Sequence, residues 1–107
     1  MPDEKMLAHT VLFTLKDRSP ESKTRLVADC KKYLSSHPGT VFFASGTLAE
    51  DIQWSISDRD FDVALYLVFR DRAAHDAYQD SPEHAEFLDK HSATWSAIRV
   101  LDCYVES

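Results

Sequence analysis

Two glycines, two cysteines and no basic run longer than Lys31-Lys32 set the first limits on this chain. With glycine only at positions 39 and 46, no glycine-rich loop is present to cradle a phosphate. Ser45-Gly46 lacks the G-x-S-x-G elbow of a hydrolase. A formal charge of -6 and a pI near 5.2 argue against a nucleic-acid partner, which calls for a basic face. The longest apolar run, Val63 to Phe69, is far too short to span a bilayer. The start Met-Pro-Asp-Glu-Lys-Met is not built like a signal peptide, so no membrane partner is expected and the cytoplasm is the expected compartment. Cys30 and Cys103 have no C-x-x-C spacing. Cys30 falls on the apolar side of a predicted helix and Cys103 within a predicted strand. Both are expected to be buried, inert thiols.

What is present is the composition of one globular domain spanning residues 1–107, with 44% hydrophobic and 28% charged residues. Leu7 to Leu15 alternates as a strand, His9, Val11, Phe13 and Leu15 facing one way and Thr10, Leu12 and Thr14 the other. Ser19-Pro20 reads as an N-cap followed by a first-turn proline, and Leu26, Val27, Cys30, Tyr33 and Leu34 give that helix an apolar face. His37-Pro38-Gly39 ends it. Val41 to Leu48 is a second strand, in which Gly46 suggests a bulge or a close backbone approach. Glu50 to Asp60 reads as a polar loop. Asp62 to Phe69 is a third strand, apolar on both faces. A helix from about Arg72 to Asp80 breaks at Ser81-Pro82, and a new helix carries His84, Phe87, Leu88, His91 and Trp95. Ile98 to Val105 closes the chain as a fourth strand.

The order strand, helix, strand, strand, helix, strand predicts an α+β, ferredoxin-like βαββαβ fold, an antiparallel sheet with its helices on one face. A sheet with one wet face should alternate cleanly between apolar and polar residues. Here Leu12, Phe42 or Phe43, Tyr66, Val68, and Val100 or Leu101 put apolar side chains on the face without helices. A second copy of the chain is the simplest cover, so a homodimer through the sheet face is expected.

The segments His9-Thr-Val-Leu-Phe, Phe61-Asp-Val-Ala-Leu-Tyr-Leu-Val-Phe and Tyr78-Gln-x-x-Pro82-x-His84-x-x-Phe87 together resemble the stress-responsive dimeric α+β barrel domain. The resemblance covers nearly the whole chain and implies two ferredoxin-like subunits pairing their sheets into a barrel. Many members of that family have no known reaction. One plant branch consists of a polyketide cyclase that closes poly-β-keto chains by aldol chemistry, with neither a metal nor an organic cofactor. The resemblance carries its catalytic pair onto Tyr78 and His84 and its pocket onto His9, Val63 and Phe87. At Val63 the cyclase has a histidine, so the implied pocket is more apolar here. Some plant members also bind a divalent ion through backbone carbonyls near the positions His37 to Thr40, a site that leaves no side-chain signature and is not assigned.

His84 suits a general base near neutral pH, and the Tyr78 phenol could stabilise an enolate. The plain alternatives are a histidine bonded to a helix-junction carbonyl and a core tyrosine. His84 and His91 lie two helical turns apart, too far to share a metal. His75, among Arg72, Asp76 and Asp80, reads as part of a solvated face. Trp54 and Trp95 read as core or dimer contacts. Three functions are consistent with the sequence: a cofactor-independent cyclase or lyase on a β-keto or phenolic compound, a non-catalytic module binding an apolar ligand, and a monooxygenase-like barrel.

Overall fold

A computed structural model describes residues 5–106. The chain forms β1 (Met6–Leu15), α1 (Pro20–Leu34), β2 (Thr40–Thr47), β3 (Val63–Phe69), α2 (Arg72–Gln79), α3 (Pro82–His91), a short 3-10 turn (Ser92–Thr94) and β4 (Trp95–Val105). The strands make one antiparallel sheet in the order β2-β3-β1-β4, the ferredoxin-like topology expected from the sequence. Among the described residues, no helix is long and apolar enough to cross a membrane.

Local chemistry sets the helix starts. Ser19 caps α1 by accepting from the Ser22 N–H (3.2 Å), Asp71 caps α2 through the Ala74 N–H (2.8 Å), and Ser81 caps α3 through the His84 N–H (3.1 Å). At Gly39 the backbone turns with φ +88, a left-handed conformation that costs glycine little. The helices cover one face of the sheet. Leu7, Val11, Phe13 and Leu15 of β1 and Val63, Leu65, Leu67 and Phe69 of β3 meet Leu26, Cys30 and Leu34 of α1, Tyr78 of α2 and Phe87 of α3 in a single core. Burial first, and then the nearby Asp29 carboxylate, pushes the Cys30 thiol up to about 12, so it stays protonated and inert.

The opposite face carries Thr10 and Leu12 of β1, Phe42 of β2, Tyr66 and Val68 of β3, and Leu101 and Cys103 of β4, as the pairing register dictates. Phe42, Tyr66 and Leu101 are exposed there, and so is Cys103, which contradicts the expectation that it is buried. The loop between β2 and β3 reaches partly across this face. Arg99 of β4 binds Asp58 at 2.7 Å and the Asp60 carbonyl at 3.2 Å. The loop presents Ile52, Trp54 and Ile56 outward, so Trp54 is no core residue.

Three further expectations are corrected. Gly46 marks neither a bulge nor a close approach: the strand irregularities fall at Thr40/Phe42 and Thr14/Leu15, and nothing lies within 4 Å of where a Cβ would stand on Gly46. Trp95 belongs to β4 rather than to α3, because the 3-10 turn ends the helical path before it. There it packs on Phe13, with ring centroids 4.9 Å apart. His75 is treated below.

Candidate functional site

Among the described residues no helix lies over the edge strand β4, so Ile98 and Val100, although on the helix side of the sheet, are exposed. Between them and α2 and α3 opens a cavity of about 450 Å³, walled by Val11, Phe13, Leu65, Phe87, Leu88 and Trp95, with His9, His75, Tyr78, Gln79, His84 and Asp102 as its polar residues. That volume lies within the usual range of small-molecule sites.

Tyr78, at 1% exposure, comes from the last turn of α2, and His84 comes from the first turn of α3. Their rings meet edge to face with centroids 4.9 Å apart. Ser81 builds this meeting. Its hydroxyl donates to the Tyr78 carbonyl (2.8 Å) and accepts from the His84 N–H (3.1 Å), while Pro82 starts the new helix. One side chain therefore fixes the backbone of both candidates. Ser81→Ala should lose the cap and cost about 1 kcal/mol of stability, measurable by urea unfolding. It should also broaden the His84 ring resonances in NMR, an effect that loss of a remote cap would not have.

Burial lowers the His84 pKa, with smaller contributions from His9 and His75, so the neutral imidazole prevails at pH 7. Burial pushes the Tyr78 phenol well above its ordinary range, with Cys30 adding to the effect. The two groups are thus held as a free base and a protonated donor, opposite roles set by their surroundings.

His9 enters the cavity from β1, and its Nδ1 lies 2.5 Å from Asp102 Oδ1 on β4. Phe87 lines the cavity too. Val63 does not: it is fully buried opposite Phe13, and Leu65, two residues along β3 on the same face, occupies the wall. His91 sits apart, its Nε2 bound to Asp29 at 2.7 Å. Asp102 and His75 are the residues that the sequence did not single out for the site. The His75 side chain, expected to be solvated, is only 14% exposed, with its ring centroid 5.3 Å from that of His9 and 5.8 Å from that of Phe69. Its spacing three before Tyr78 on one helix was the available signal, masked by the charges of Arg72 and Asp76.

Residues 7–105 match the Stress responsive A/B Barrel Domain family. The chain belongs to that family. No curated protein sequence matches it. Among solved structures, it is similar to a Dabb-family protein with a ferredoxin-like fold from Mesorhizobium loti (28% identity, 97% of this chain and 100% of that one, TM-score 0.78). It shares its fold with a dimeric ferredoxin-like protein of unknown function from Thermobifida fusca (17% identity, 96% and 93% covered, TM-score 0.77). It shares it also with a hydroxynitrile lyase from Passiflora edulis (21% identity, 96% and 95% covered, TM-score 0.76). In this A/B barrel domain the cavity is therefore set in a scaffold found in both a lyase and a protein of unknown function.

Proposed function

We propose that this A/B barrel domain is a homodimeric enzyme that carries out acid–base chemistry on a small carbonyl or phenolic compound, with His84 as the base and Tyr78 as the hydrogen-bond donor. The observation that carries the reading is the edge-to-face meeting of His84 and Tyr78 on the wall of one cavity, where burial lowers the imidazole pKa and raises that of the phenol. His84 takes a proton from the carbon between two carbonyls, and the electron pair moves onto the carbonyl oxygen as an enolate. Tyr78 donates a hydrogen bond to that oxygen. The enolate carbon can then attack a second carbonyl, as in a cyclase, or the sequence can run in reverse, as in a lyase. The Trp95 N–H, buried without a partner among the described residues on a side chain that lines the cavity, offers a further donor to an oxygenated ligand.

The test uses benzoylacetone, an aromatic β-diketone, as the probe. Wild-type protein in D2O should accelerate exchange of the proton between its carbonyls, followed by NMR, and His84→Ala should not. Probe binding without any acceleration would support the non-catalytic ligand module instead.

The dimer rests on the apolar sheet face, where Leu101 is 53% exposed in the single chain, and it is consistent with the dimeric description of the Thermobifida protein. A carboxylate buried without a partner at such a contact is costly. Leu101→Glu should therefore give a folded monomer by native mass spectrometry, where the wild type gives a dimer. A wild-type monomer would contradict the proposed pairing.

A further inference from the structure

We propose that His9, His75 and Asp102 form a binding site for a divalent metal ion of the zinc class, on the wall of the cavity and with a coordination position open towards it. The inference goes beyond the acid–base reading and stands without it. Three elements converge here: β1 supplies His9, α2 supplies His75 and β4 supplies Asp102. One ligand atom from each lies within 4.8 Å of the other two.

A hydrogen bond between His9 and Asp102 would by itself need no ion. His75 is what that bond leaves unexplained. Its Nδ1 is taken by Asp76 Oδ1 at 2.9 Å, and Asp76 is in turn held by Arg72 at 2.8 Å. In the tautomer that donates Nδ1–H to Asp76, Nε2 is the nitrogen with the lone pair. That nitrogen is buried, has no hydrogen-bond partner among the described residues, and lies 4.0 Å from Asp102 Oδ1. A buried polar atom without a partner is costly, and an ion is one standard way to satisfy it. An imidazole whose far N–H is donated to a carboxylate is also the usual arrangement behind a metal-bound histidine.

Two imidazoles and one carboxylate suit Zn²⁺ or Fe²⁺ rather than Mg²⁺ or Ca²⁺, which prefer all-oxygen ligands. Bonds near 2.1 Å in a tetrahedral site put ligand atoms roughly 3–3.5 Å apart. His9 and Asp102 must therefore part slightly, and Asp102 and His75 must close. The Asp102 side chain, 44% exposed, has room to swing. Both His75 and Asp102 also line a second opening beside Leu7 and Tyr104, which gives an ion a route in from solvent.

The test is calorimetric titration of tag-free wild-type protein with Zn²⁺, with Mg²⁺ as the contrast and Co²⁺ as a spectroscopic stand-in. One Zn²⁺ per chain should bind, Mg²⁺ should not compete, and Co²⁺ should develop visible d–d absorption. His75→Leu and Asp102→Asn should each weaken Zn²⁺ binding by at least about 100-fold, and Asp76→Asn by about 10-fold. Asp58→Asn, on the loop across the other face of the sheet, should leave it unchanged. If His75→Leu fails to fold, Asp102→Asn carries the test, since its side chain is nearly half exposed. Absence of 1:1 uptake by the wild type would overturn the proposal, as would uptake that the folded ligand variants retain at unchanged affinity.

Discussion

Asp62→Ala should be among the most destabilising single substitutions in this chain, at about 2–4 kcal/mol. Asp62 is buried at the entry to β3, and its carboxylate serves three elements at once. It accepts the Leu15 N–H at 2.9 Å and both branches of a forked bond from Arg18 Nε at 3.0 and 3.1 Å, and Lys23 Nζ stands 3.8 Å away. Alanine removes the acceptor but leaves the Leu15 N–H at the end of β1 without a partner, where little water can replace it. The Arg18 side chain is half exposed and can turn to solvent, so Arg18→Ala should cost under about 1 kcal/mol. Asp62→Asn keeps one acceptor and should fall between the two. Urea titrations at constant m-value read these differences, and a Tm drop of roughly 10–20 °C should accompany Asp62→Ala. A cost within about 0.5 kcal/mol of zero, typical of an ordinary surface position, would mean that the carboxylate does not organise this corner.

His84→Ala should lower exchange catalysis on benzoylacetone by about 10²–10⁴-fold, the usual contribution of a positioned base. Tyr78→Phe should lower it by about 10²–10³-fold, as for one donor to a developing oxyanion. The two variants separate chemistry from structure in different ways. Ser81 caps α3 through the His84 backbone N–H, which alanine retains, so the start of α3 should survive. Phenylalanine keeps the ring that packs between Phe69 and His84 and removes only a hydroxyl. Both variants should therefore stay folded by circular dichroism while losing rate, with the loss in kcat rather than in KM for Tyr78→Phe. If both kept the wild-type rate, the pair would be structural. Stability carries a related signature. Because His84 has a lower pKa folded than unfolded, the unfolded chain binds more protons once the pH falls to about 6.5. Its contribution to stability is thus progressively lost between about pH 6.5 and the folded-state value, and His84→Ala should flatten that slope.

Much of this architecture was legible locally. Ser19-Pro20 and Ser81-Pro82 carry cap and first-turn proline together, so the starts of α1 and α3 could be placed to the residue. The doubly apolar β3 marked the sheet centre, and the break at Pro82 brought Tyr78 and His84 together. The missing parts depend on contacts between distant segments. Asp102 joins His9 only through the β1–β4 register, 93 residues apart along the chain. Asp62 looks like an ordinary strand start until Leu15 and Arg18 are brought against it. His75 has the helical spacing of a cavity residue but sits in a charged stretch, where Arg72 and Asp76 give its neighbourhood the look of a solvated face. Trp95 follows the helical period by coincidence, since three residues of 3-10 turn separate it from α3. Cys103 alternates onto the face that no helix covers, so its exposure in the single chain follows from topology rather than composition.

The most direct test of the acid–base pair is the pH dependence of kcat/KM for benzoylacetone exchange. The facing groups are Tyr78 and His75 on α2, His9 on β1 and Asp102 on β4. With His84 lowered and Tyr78 raised, the rate should rise along a single acidic limb with a midpoint below about 6.5. It should then hold level until the diketone itself ionises, with no falling limb from Tyr78, whose phenol lies above its ordinary value of about 10. His84→Ala should remove the limb together with the rate. A midpoint above about 7, a falling limb below the pH at which the diketone itself ionises, or an acidic limb that persists in His84→Ala would contradict the assignment.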